Sequence, residues 1–158
     1  MNYNRKISPK IEDIQQIESL TSLHLDDEFQ KFYMEYSGII LEDCEHYLNV
    51  LYQTEDAPDI NMKEAFSNFS SLDDIKRLWE FTGPKFIQDY IEHFEHPTTV
   101  VEPEVLLPFA ESETGVFYIS TKGNTKGKIL HADNGDFGIG YVTENMQSFI
   151  KKLKTKEA

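Results

Sequence analysis

The chain has 158 residues and carries 15 basic against 28 acidic side chains, a formal net charge of −13. That length suits one domain able to bury roughly 70% of the surface its unfolded chain exposes, so folding requires neither disulfide nor metal. The charge argues against nucleic acid as a partner, because phosphate binding needs a cationic footprint, and a lone cysteine, Cys44, excludes an internal disulfide.

No apolar run approaches the roughly 20 residues of a membrane-spanning helix. The opening "MNYNRKISPK" is basic but lacks the apolar centre of a signal peptide. The expectation is a soluble protein of the reducing cytoplasm with no membrane partner. Charge is unevenly spread: "KGNTKGK" and "KKLKTKEA" are basic, whereas Glu42 to Glu113 holds 17 acidic and 4 basic side chains. Such a surface attracts a basic partner and speeds the encounter. On charge alone, ordinary solubility explains it equally well.

In chain order, Ser8 and Pro9 predict a helix start, with Ile11, Ile14 and Ile17 along one side as far as Ser19. Asp26, Asp27 and Glu28 then place negative charge at the positive end of a second helix. Its apolar stripe is Phe29, Phe32, Tyr33 and Tyr36, and Gly38 stops it. Core packing is the stronger reading of that stripe over a ligand box. "GIIL" and "YLNVLYQ" suit strands, and "TEDAPDIN" reads as a loop. Ser71 with Asp74 forms a capping-box pattern ahead of Ile75, Leu78 and Trp79. Gly83-Pro84 divides that helix from the next, whose apolar face is Phe86, Ile87, Tyr90, Ile91 and Phe94.

After Pro97 the period becomes two. Strands are predicted over Val105–Phe109, Val116–Thr121, Lys128–Ala132 and Phe137–Val142, joined by the turns "KGNTKG" and "DNGD". Met146, Phe149, Ile150 and Leu153 give a closing helix with lysines at its negative end. The expected fold is α+β in a single domain over 1–158, its core about 8–153. It has a mainly antiparallel sheet of about four to six strands, with helices at the N-terminus, centre and C-terminus.

Candidate chemistry is sparse. His93 and His96, with Glu92 and Glu95 beside them, have metal-like spacing, but Pro97 ends the helix and no HExxH pattern or cysteine pair supports a site; no metal or cofactor is expected. "GDFGIG" opens a strand rather than a helix, which suits a turn or crowded strand better than a phosphate loop. Cys44 and His46 share a strand face without an orienting group. Asp26-Asp27 and Asp73-Asp74 sit where helix starts favour negative charge. No active site is legible, and the chain is not expected to be an enzyme.

One stretch, "LLPFAESETGVFYIST", sets an acidic elbow of Glu111 and Glu113 between two apolar strands. With "LHLDDEFQKFYMEYSG" before it and "GKILHADNG" after it, this order resembles the SUKH superfamily, which includes Smi/Knr-type regulators and bacterial toxin-immunity proteins. Leu25, Phe29, Phe32, Tyr33, Ser37 and Gly38 match that family's first helix and turn, although Asp26 replaces its proline and Ser37 its asparagine. Leu107, Pro108, Phe109, Ala110, Glu111 and Gly115, then Gly127, Lys128, Ile129 and Asp133, match its later strands. The usual second glycine after Gly38 is missing, and no tryptophan precedes Asp133.

The resemblance implies a noncatalytic cytoplasmic protein that binds and neutralises a cognate toxin. Many such toxins are nucleases, and a nuclease surface must be basic enough to hold phosphate. The expected contact residues are Glu111 and Glu113 with Asp133 and Asp136 on the neighbouring turn, followed by the acidic hairpin Asp73–Glu95. Alternatives are an intracellular scaffold or regulator with an endogenous partner, and a metal-dependent hydrolase using His93, His96 and nearby carboxylates. The resemblance leaves the oligomeric state open.

Overall fold

Caps and apolar periodicity set the helices of the computed structural model, which describes residues 3–5, 7–42, 46–54, 57–93, 102–134 and 138–154. Helix α1 (Glu12–Thr21) begins later than Ser8-Pro9 suggests. Its turn is held by Asp13, whose carboxylate accepts from the Lys10 amide at 3.0 Å. Ile14 and Ile17 face the core, while Ile11 is left exposed. Helix α2 (Asp27–Tyr36) is capped by Asp26, which accepts from the Phe29 amide. Gly38 then takes a positive φ of 81°, and a Cβ there would lie 2.6 Å from the Ile7 carbonyl oxygen.

The Ser71–Asp74 capping box opens α3 (Leu72–Thr82), and α4 (Pro84–His93) follows directly after Gly83. Helix α5 (Met146–Lys154) carries Lys151, Lys152 and Lys154 in its last turn, where the helix dipole favours cations.

Among the described residues eight strands form one antiparallel sheet, more than the four to six expected. They are β1 (Tyr3–Arg5), β2 (Ile39–Leu41), β3 (Tyr47–Thr54), β4 (Ala57–Phe69), β5 (Leu106–Ser112), β6 (Gly115–Ser120), β7 (Ile129–Asp133) and β8 (Ile139–Thr143). The order is β1-β2-β4-β3-β8-β7-β6-β5, and a further β4–β5 pairing closes six of them into a barrel. The expected loop "TEDAPDIN" is instead largely strand: β3 runs to Thr54, and Ala57 already starts β4. Polar composition hid β4, whose inward positions Met62, Glu64 and Phe66 alternate with exposed or half-buried ones.

The β5–β8 meander matches the expected one. Both faces of it are buried. Leu107, Phe109, Phe117, Ile119 and Ile129 join the cluster built on α1, α2 and α5. Leu106, Val116, Tyr118, Leu130 and Ile139 pack instead against Leu78 of α3 and Ile87 of α4. Phe149 of α5 sits in the main cluster, with its ring centroid 5.4 Å from those of both Phe109 and Phe117. The α2 stripe packs against the same region, Phe32 lying 5.6 Å from Phe69 and from Phe109 in edge-on geometry.

Candidate partner-binding surface and buried polar network

The acidic elbow is the tight turn of the β5–β6 hairpin. Its backbone is fixed on three sides. The Glu113 amide donates to the Ala65 carbonyl of β4 at 3.0 Å, and the Asn134 amide donates to the Thr114 carbonyl at 2.8 Å. The Thr114 amide donates to Ser112 Oγ at 3.1 Å. Gly115 is required where β6 starts, because a Cβ would fall 2.0 Å from the Ala132 carbonyl oxygen. Since β5 ends and β6 begins where β7 ends and β8 begins, both turns lie at one end of the barrel.

The four expected contact residues occupy different settings. Glu113 is exposed at the tip. Glu111 is half-buried and turned toward α3, where Arg77 pairs with it at 2.5 Å. That hydrogen bond also raises the Arg77 pKa further. Asp133 is buried, and Asp136 lies outside the described residues. The elbow therefore presents less free negative charge than its sequence suggests.

Immediately inside the elbow lies a feature the sequence reading missed. Glu64 of β4, Tyr52 of β3, His131 of β7, and Ser112 and Thr114 of the hairpin form a closed polar circuit. With His131 neutral, one assignment of protons satisfies its four side-chain bonds, and the Thr114 amide bond to Ser112 closes the ring. The 3.4 Å contact between the Ser112 and Thr114 hydroxyls is then left without a proton. Tyr52 O–H donates to Glu64 Oε1 at 3.1 Å, and His131 Nδ1–H donates to the Tyr52 oxygen at 2.8 Å. Ser112 O–H donates to His131 Nε2 at 2.8 Å, and Thr114 O–H donates to Glu64 Oε2.

Burial pushes the His131 imidazole down to about 3 and holds it neutral. Burial, then the negative charges of Glu64 and Asp133, push the Tyr52 phenol well above its ordinary value. Gly140 makes room for the circuit, because a Cβ there would lie 2.8 Å from the Tyr52 ring. Ser112 beside His131 has the composition of a nucleophile–base pair. They are, however, only 9% and 0% exposed, which suits bracing strands together rather than meeting a substrate.

Two of the clefts that open elsewhere among the described residues are the more enclosed, and neither is lined by Ser112 or His131. One, of about 260 Å³, lies between the start of α2, the β6–β7 connection and the start of α5. The other, of about 550 Å³, lies between the N-terminal segment, α1 and the start of α3. Tyr33 lines the second and donates to Asp13 Oδ2 at 2.8 Å.

Among the described residues no three histidines, cysteines or acids gather as metal ligands. His93 ends α4, while His96 and Cys44 lie outside the described residues. His46, next to Cys44 in the nucleophile reading, is buried with Nδ1 2.8 Å from the Leu153 carbonyl oxygen. No described helix is long and apolar enough to cross a membrane.

Comparison with family models gives a match to the SMI1 / KNR4 family (SUKH-1) over residues 8–152. The chain belongs to that family. No curated protein and no solved structure gives a match. In this SUKH-1 chain, most residues that carried the resemblance are framework. Leu25, Phe29, Phe32, Tyr33, Leu107, Phe109, Ala110 and Ile129 are all buried. The family pattern therefore records how the barrel is built, and contact residues have to be sought on the surface around it.

Proposed function

We propose that this SUKH-1 protein is an immunity factor. It binds a cognate bacterial toxin in the cytoplasm and neutralises it by occupying the toxin's working surface rather than by turnover. Family membership is the observation that carries this reading, since SUKH proteins are commonly toxin-immunity proteins. The net charge of −13 supports a basic partner, such as a nuclease whose surface holds phosphate.

The proposed contact region is the barrel end that carries Glu111, Glu113 and Asp133, with Asp136 included from the sequence. Glu113 would meet the partner directly. Glu111 is shared with Arg77, and Asp133 contributes its field from beneath the surface. The hydrogen bonds from Glu113 to Ala65 and from Asn134 to Thr114 hold this end still, which lowers the ordering cost of binding.

The test is co-expression with toxin candidates encoded beside this gene. Growth rescue, with a one-to-one complex of the purified proteins, is the expected result. Absence of both for every neighbouring candidate would overturn the proposal.

A further inference from the structure

The smaller cleft has an apolar floor and a charged rim. Leu25, Phe29, Ile119 and Met146 form the floor, each no more than 8% exposed, so the hollow is backed by the main core. At about 260 Å³ it falls below the usual range for drug-sized ligands, roughly 300–1,000 Å³, and is of the order of a single inserted side chain.

The basic side chains that line it are already engaged. Lys126 pairs with Asp26 at 3.1 Å, and His24 lies 3.3 Å from Glu18. Partial burial pushes the Asp26 carboxyl up, but the Phe29 amide and Lys126 outweigh it and bring the group below its ordinary value. That leaves Glu28, exposed in the first turn of α2 and without an ion pair among the described residues. The adjacent Asp27 and Glu144 are also exposed and acidic. The β6–β7 wall brings its own Lys122 and Lys128, so the negative side of the rim is the start of α2; an apolar floor beside those acids is complementary to a large apolar side chain followed by a cation.

We infer that this cleft is an anchor pocket, and that its occupant is an aromatic side chain flanked by arginine or lysine on a protein partner. The inference rests on the protein-binding reading above and adds a second contact point, away from the elbow.

The probe is the capped tripeptide Arg-Trp-Arg, titrated into the full chain with backbone amide shifts as readout. Saturable shifts should centre on Phe29, Gly127 and Met146. Binding should be about tenfold tighter than that of Arg-Ala-Arg, which lacks the apolar anchor, and of Glu-Trp-Glu, which reverses the charge. Glu28→Gln should weaken Arg-Trp-Arg by a factor of about three or more without weakening Glu-Trp-Glu. Equal binding of Arg-Ala-Arg, shifts confined to the elbow, or no saturable shift would each overturn the inference. Toxin rescue reads a different property: a chain that rescues growth yet leaves these amides unmoved sinks the pocket and spares the immunity proposal.

Discussion

A histidine with no exposed surface, packed between a serine and a tyrosine, stays neutral, and this makes stability depend on pH. The folded-state pKa of His131 is pushed down to about 3 by burial, whereas an unfolded histidine titrates near about 6.5. As pH falls, the unfolded chain takes up the proton first. The stability tied to neutral His131 is therefore complete above about pH 6.5 and is lost progressively toward pH 3. At pH 5 the loss should be about 2 kcal/mol. Urea unfolding of wild type and His131→Gln at pH 7.5 and pH 5 checks this. The wild type should lose that much more than the variant between the two conditions; parallel losses would remove His131 from the acid response. Local sequence gives little sign of the circuit. Tyr52, Glu64, Ser112 and His131 come from four strands, and only the register brings them together. One clue was available: Glu64 occupies an inward position between Met62 and Phe66, where an acid needs a buried partner.

Helix α2 shows the opposite case, in which one element is legible in full. Its i, i+3, i+4, i+7 aromatics need only helical geometry to share a face, and Phe29, Phe32, Tyr33 and Tyr36 are each at most 8% exposed. Phe32 touches Phe29, Tyr36, Phe69 and Phe109, so its loss leaves a cavity that neighbours from three elements cannot fill. Phe32→Ala should cost about 3–5 kcal/mol, read from the denaturant midpoint at constant slope. An unchanged midpoint would place the stripe outside the core. The β5–β8 meander was equally legible, because apolar runs between turn residues identify buried strands. Strand β4 was not: "NMKEAFSNF" alternates, but polar residues fill most of the pattern, and its partners lie on either side of a helical hairpin. Strand β1 is three residues long, too short for any period to register.

For the molecule as a whole, charge tests the partner-binding proposal. Replacing Glu111 and Glu113 with Gln and Asp136 with Asn should slow association with a basic toxin by about tenfold or more at low salt, and by less at high salt. Asp133 is kept because it is buried. Part of the loss should come from Arg77, left with only Asp74 when its 2.5 Å partner is neutralised. Association rates across a salt series decide the matter, and unchanged rates would remove this end from the interface. The closed barrel bears on a different property. Phe66–Phe69 of β4 pair with Ala110–Ser112 of β5, so the ring has no outermost strand from which fraying could spread. Amide hydrogens there should exchange with deuterium only when the entire chain unfolds, at the global free energy. Those of Tyr3–Arg5, a three-residue strand hung on β2 alone, should exchange through local detachment, faster by orders of magnitude. Equal protection at the two places would mean that the ring opens as easily as its appendage.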